Sequence, residues 1–163
     1  MPMNNMLPKV WRPDATALLP ANPSIKSGPA LAWWIALLYL CVITVRSFIH
    51  VLVSDGGAHS IATIDIFAAG GANVVALFGQ WGAIQLLLAF LLWVLLLRYH
   101  GLVPLVLLVF MLEPPLRAYA GYLKPLITEG MAPGAAFNWL TEPILVAAFF
   151  ISLCPGDKKC SFN

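Results

Sequence analysis

The sequence predicts an all-α, polytopic membrane protein: a four-helix transmembrane bundle with one short interfacial helix between the first and second spans. Two observations predict this. Of the 163 residues, 61% are hydrophobic and only 10% charged, whereas a soluble domain is nearer 45–50% apolar and about 25% charged. The apolar residues also gather in four runs near the ~20 residues that cross a hydrocarbon core. A water-soluble core this apolar would leave too little polar surface to face water, so lipid is the expected solvent for most of the chain.

The chain divides into an N-terminal segment (1–28), a bundle (29–154) and a C-terminal tail (155–163). The first segment carries Lys9, Arg12, Asp14 and Lys26 among several prolines. It lacks the apolar core of a signal peptide, so no cleavable signal is expected. It is expected to be ordered only by a partner, the alternative being that it lies along the inner surface through Trp11, Leu18 and Leu19.

The first span is expected from Ala30 to Val53. Pro29 suits a first helical turn, and Trp33 and Trp34 suit the headgroup boundary. Ser54-Asp55-Gly56-Gly57 reads as a turn, with glycine supplying positive φ. Ser60 would then cap a short helix from Ile61 to Ala69, ended by Gly70-Gly71. At about nine residues it is too short to cross, and Asp65 argues for an interfacial position. The second span is expected from about Val74 to Leu97. Gly79 and Gly82 allow close helix approach, and Gln85 suits a bond across the interface. Arg98-Tyr99-His100-Gly101 is a tight polar connection. The third span runs from Leu102 to about Leu123 and the fourth from about Gly134 to Leu153. Glu113-Pro114-Pro115 and Glu142-Pro143 are expected to interrupt them.

Lysine and arginine outside the spans set the orientation. With four crossings, one side holds Lys9, Arg12, Lys26, Arg98, Lys158 and Lys159, and the other holds only Lys124. Both termini are therefore expected in the cytoplasm. The three cysteines (Cys41, Cys154 and Cys160) form no CxxC pair, and the last two fall on the side where disulfides are rare. The net charge of +2 and the scattered cations give no basic stripe, so no nucleic-acid partner is expected.

Five ionisable groups fall inside the spans: Arg46, His50, Glu113, Arg117 and Glu142. Each costs roughly 3 kcal/mol at mid-bilayer on insertion scales, so each should face the bundle interior and find company. At 1.5 Å per residue, Glu113 lies about 17 Å from the inner face and Glu142 about 12 Å from the outer one. Arg46 and Arg117 lie about 22–24 Å from the inner face, which puts the acids and arginines in a slab about 10 Å thick. Glu113 and Arg117 stand i, i+4 on one helix face, and a planar guanidinium suits a carboxylate. The spacing leaves open which glutamate Arg46 meets. Each glutamate precedes a proline, which removes a helical N–H and frees the carbonyls of Phe110, Met111 and Trp139. Such breaks at mid-depth resemble the sites of transporters, although a neutral ion network also serves as structural glue.

His50, Asp55 and His59 gather near the outer surface with residue types that hold metals, but their spacing matches no metal signature and no metal is expected. His50 and His100 stand at opposite ends of their spans, so no bis-histidine haem pair is expected. No Ser-His-Asp arrangement, phosphate loop or HExxH pattern appears, and no catalytic residue or cofactor is expected. A bound lipid fits the composition.

The stretch GQWGAIQLLLAFLLWVLLLRYHGLVPLVLL carries a glycine-marked helix that ends in arginine and reverses at once into the next. With the first helix and polar loop before it, this plan resembles small bacterial four-helix membrane proteins of the DoxX-like type over roughly residues 30–153. The likeness is architectural and implies four helices, with no functional residue carried over. A bacterial inner-membrane location is the matching expectation.

The functional expectation is an accessory subunit of a membrane complex or a small amphiphile binder. Its partners would be the bilayer and other membrane subunits or a second copy. Two alternatives are a dimeric proton- or ion-coupled transporter using Glu142, which no i+4 arginine follows, and a membrane enzyme on a lipid-like substrate with Glu113 and Glu142 as acid and base.

Overall fold

The computed structural model describes residues 12–25, 28–130 and 133–155. The expectations for Lys9, Trp11, Lys26 and residues 156–163 lie outside them. The described residues form four α-helices and no strand: α1 (Ala30–Leu52), α2 (Gly71–Arg98), α3 (Val103–Leu123) and α4 (Pro133–Ser152). The first three, with His100–Leu102 leading into α3, are long and apolar enough to cross a membrane, and α4 contains a shorter apolar stretch, Trp139–Ser152.

The helices pack as two pairs, α1 chiefly against α2 and α3 chiefly against α4. Small residues make the first pair close. A Cβ on Gly82 would come within 2.6 Å of the His50 Cβ and 3.1 Å of the Ser47 carbonyl, so any larger residue would push α2 off α1. Polar groups then join the two helices: buried Ser47 Oγ lies 3.3 Å from Gln85 Oε1, and half-buried Trp93 Nε1 donates to Thr44 Oγ1 at 3.1 Å. Trp33 Nε1 donates to the Leu96 carbonyl at 3.2 Å, satisfying an acceptor near the end of α2.

One end of the bundle, the base, gathers the start of α1, the α2–α3 connection and the end of α4. Its core is apolar: Ala36, Leu40, Leu96, Val106, Leu107, Phe110, Leu145 and Ala148 are all buried. Tyr39 stacks edge-on against Phe110, with centroids 5.0 Å apart, at the upper limit of this core. The N-terminal segment closes the base. Asp14 N–H donates to the Leu153 carbonyl at 3.0 Å, and Pro23 accepts from Gly101 N–H at 2.8 Å. A short 3-10 turn, Ala15–Leu18, is capped by Asp14. Residues 12–25 are thus ordered on the bundle itself, correcting the expectation that they need a partner: Leu153, just beyond α4, and Gly101, in the α2–α3 connection, supply the backbone groups they pair with.

The other end, the top, carries the loops 53–70 and 124–130. The helix expected over Ile61–Ala69 does not form; residues 54–62 are a chain of turns and 63–66 are non-helical. Asp55, not Ser60, organises it, its carboxylate accepting from Gly57 N–H at 2.9 Å and Ser60 N–H at 2.7 Å. A helix of nine residues lies below the length that repays nucleation, and here the backbone finds other partners. Glu129 N–H donates to the Thr63 carbonyl at 2.8 Å, and Thr63 Oγ1 to the Gly130 carbonyl at 3.1 Å, so the two top loops are stitched together.

The breaks expected at the prolines are also absent. Pro114, Pro115 and Pro143 lie inside continuous helices. Each proline removes one helical hydrogen bond, whereas unwinding in an apolar surrounding would strand several backbone groups.

Candidate functional site

Above Tyr39 and Phe110 the bundle opens. A cavity of about 510 Å³ lies between the upper halves of the helices and beneath the top loops. Its apolar wall is Ile61, Phe78, Trp81, Leu126 and Trp139, and its charged wall is Arg46, Arg117 and Glu142 with His50 beside them. Four of the five intramembrane residues singled out in the sequence therefore line one space. The fifth, Glu113, stands behind the arginines and holds both: Oε1 lies 3.6 Å from an Arg46 terminal nitrogen, and Oε2 lies 3.3 Å from one of Arg117. Arg46 thus pairs with Glu113, the question the spacing left open. A second, more open hollow of about 590 Å³, lined by Trp81, Val109, Leu112, Glu113, Leu116 and Arg117, shares Trp81 and Arg117 with the first.

The charges do not cancel locally. One carboxylate serves two guanidiniums, each with five N–H donors, so the Glu113 cluster carries an excess of one positive charge. Arg46 also lies over the Trp81 ring, 5.8 Å from its centroid, a placement that holds a cation without a second anion. Glu142 is the counterpart. It makes no ion pair among the described residues, and its buried Oε2 has no hydrogen-bond partner. The site is therefore a dipole, cationic at the α1–α3 wall and anionic at α4.

His50 is held by its loop. Nδ1 lies 2.7 Å from the Gly56 carbonyl, which can only accept, so Nδ1 carries the proton. Nε2 is buried without a partner. The ring packs against Trp81 at 4.9 Å and edge-on to Phe78 at 5.6 Å. Gly57 must be glycine here: its φ is +75°, and a Cβ would sit 3.2 Å from His50 Nδ1. The metal candidates do not converge. Asp55 is spent on Gly57 and Ser60, His59 Nδ1 faces the Ile64 carbonyl at 3.3 Å, and no cluster of three metal-ligating side chains occurs among the described residues. The N–H groups of Ser60 and then Gly57 hold the Asp55 carboxyl down to about 2, because they stabilise only its charged form.

Sequence reasoning missed the aromatic wall. Phe78, Trp81 and Trp139 are ordinary residues of apolar spans, and only the helix rotations turn them to the same space. A signal existed in two pairs: Trp139 precedes Glu142 by three residues, and Phe78 precedes Trp81 by three, so each pair shares a helix face. Comparison of the chain with family models, with curated proteins and with solved structures returned no match, so the DoxX-like resemblance rests on helix plan alone.

Proposed function

We propose that the chain is an integral membrane protein of four crossings, base inward, that binds a small amphiphile in the cavity of its upper half. Lipid as the surrounding solvent is supported by what the helices leave outside. Leu87 is 71% exposed, Phe90 67% and Leu38 64%, and Leu31, Trp34, Val42, Val45 and Leu52 continue the exposed face of α1. Apolar surface this continuous exceeds what monomers show to water. The base-inward orientation rests on the lysine and arginine bias.

The observation that carries the binding reading is the cavity itself. Its volume falls in the roughly 300–1,000 Å³ range of small-molecule sites, and it has their make-up of mostly apolar walls with a few convergent polar groups. Of the two expected roles, accessory subunit and amphiphile binder, this favours the binder. The open hollow along Val109, Leu112 and Leu116 supplies a place for an acyl tail, next to the shared Trp81 and Arg117. Native mass spectrometry of protein released from membranes in mild detergent tests the reading. The expected result is a lipid-sized adduct, lost when Ala118→Trp fills the cavity, which Ala118 also lines. Absence of any adduct, or an adduct indifferent to that substitution, contradicts it.

One observation favours a second reading, ion- or proton-coupled transport: Glu142 is an intramembrane acid without a cationic partner among the described residues, and such groups mark ion pathways. Glu142→Gln then abolishes pH-driven flux in proteoliposomes while leaving the fold intact. Identical flux in both proteins would end this reading.

A further inference from the structure

The charges around the cavity say more than that a ligand binds. A ligand enters a dry site only if it answers the polar groups already there, because a buried charge left without a partner is costly. At the α1–α3 wall, two guanidiniums share one carboxylate. Most of their donor capacity is unspent, and Arg46 Nε is among the buried atoms with no partner. A simple anion would satisfy this wall. It would then lie in the same cavity as Glu142, a carboxylate with no ion pair among the described residues. A simple cation would satisfy Glu142 and meet two arginines. An uncharged amphiphile would leave both walls unanswered.

Trp139 sharpens the requirement. It stands one helical turn before Glu142, and both line the cavity. An indole beside a carboxylate is the pairing that receives an ammonium group, through ring attraction and a charge-assisted hydrogen bond. Trp81, by contrast, already faces Arg46. The two indoles thus divide between the two ends of the site.

On the reading that the cavity binds an amphiphile, we propose that its ligand is zwitterionic: an acidic group at Arg46 and Arg117, an ammonium group at Glu142 and Trp139, and a single acyl chain leaving through the hollow between α2 and α3. Lipids with a phosphoethanolamine headgroup have this chemistry.

Three single-chain probes of equal acyl length decide the matter, each titrated against the full-length protein in amphipol: lysophosphatidylethanolamine, lysophosphatidylglycerol and monoacylglycerol. The wild-type protein is expected to bind the zwitterion about tenfold more tightly than the anion, and the neutral probe most weakly. Glu142→Gln is expected to erase the preference for zwitterion over anion, and Glu142→Asp to retain it. If the anion binds the wild type as well as the zwitterion, or if Glu142→Gln keeps the preference, the zwitterionic assignment falls while amphiphile binding stands. If none of the three binds, the amphiphile reading itself falls. The wild-type comparison decides the assignment even if Glu142→Gln does not fold.

Discussion

The lower and upper halves of this bundle are built from the same four helices and have opposite interiors. Below Tyr39 and Phe110, small and branched side chains pack together, and among the described residues no Asp, Glu, Lys or Arg side chain is buried. Above them, Gly82 brings α1 onto α2, but bulky Phe78, Trp81 and Trp139 and a run of charged groups hold a cavity open. The comparison separates two kinds of burial. Apolar packing in the base stabilises whatever the molecule does. The charges at the top cost free energy to place in an apolar setting, and the Glu113 bridge together with the Trp81 ring facing Arg46 offsets part of that cost. A structural network would be balanced at close range. This one is balanced only across a cavity.

The comparison can be broken or sharpened by substitution. The largest effect is expected in the base: Phe110→Ala should cost about 4 kcal/mol of unfolding free energy, while Trp139→Ala, on the cavity wall and 78% exposed, should cost under about 1 kcal/mol. Reversible unfolding in mixed micelles measures both, and equal losses would erase the distinction between the halves. Next is Glu113→Gln, which leaves two guanidiniums without their carboxylate and should cost about 3 kcal/mol. Adding Arg117→Gln should recover part of the loss, because the pair interacts directly. Gly82→Ala should cost about 2 kcal/mol by forcing α2 away from α1, with a loss of the Trp93–Thr44 hydrogen bond visible in the indole N–H resonance.

A smaller effect than that of Gly82→Ala is expected in the top loop. The Asp55 carboxyl is held at about 2 against its ordinary 3.8. A carboxyl whose folded value is depressed contributes stability that is complete above the unfolded value and lost as pH falls through the folded one. Asp55→Asn should therefore cost about 1 kcal/mol at neutral pH, the figure being reduced for solvent screening of an exposed group. The difference between the two proteins should vanish between about pH 4 and pH 2, which pH-dependent unfolding of the pair measures.

Much of this was legible in the sequence for physical reasons. Span-length apolar runs have one way to satisfy their backbone in lipid, so the helix limits at Ala30 and Leu123 follow from composition and length, and the second span, expected over Val74–Leu97, lies within Gly71–Arg98. Rise per residue puts Arg46, Glu113 and Arg117 within one slab about 10 Å thick, and the structure brings them together. What sequence did not reveal depends on rotation and on long-range contacts. Nothing local turns Trp81 and Trp139 toward one space. Residues 61–69 looked helical because their capping residues are right, but their backbone pairs with the turns before them and, at Thr63, with Glu129 and Gly130, more than sixty residues away. Residues 12–25 looked partnerless because their acceptors and donors lie beyond α4 and in the α2–α3 connection.

Four crossings, on which the depth of every charge depends, are tested most directly by thiol labelling. In a cysteine-free background, single cysteines at Leu19, Ile127 and Pro155 are treated with a membrane-impermeant maleimide in intact cells. Labelling of Ile127→Cys alone, with Leu19→Cys and Pro155→Cys reacting only after permeabilisation, is the expected result. Labelling of Pro155→Cys together with Ile127→Cys would mean that α4 does not cross, and the cavity would then lose its fourth wall.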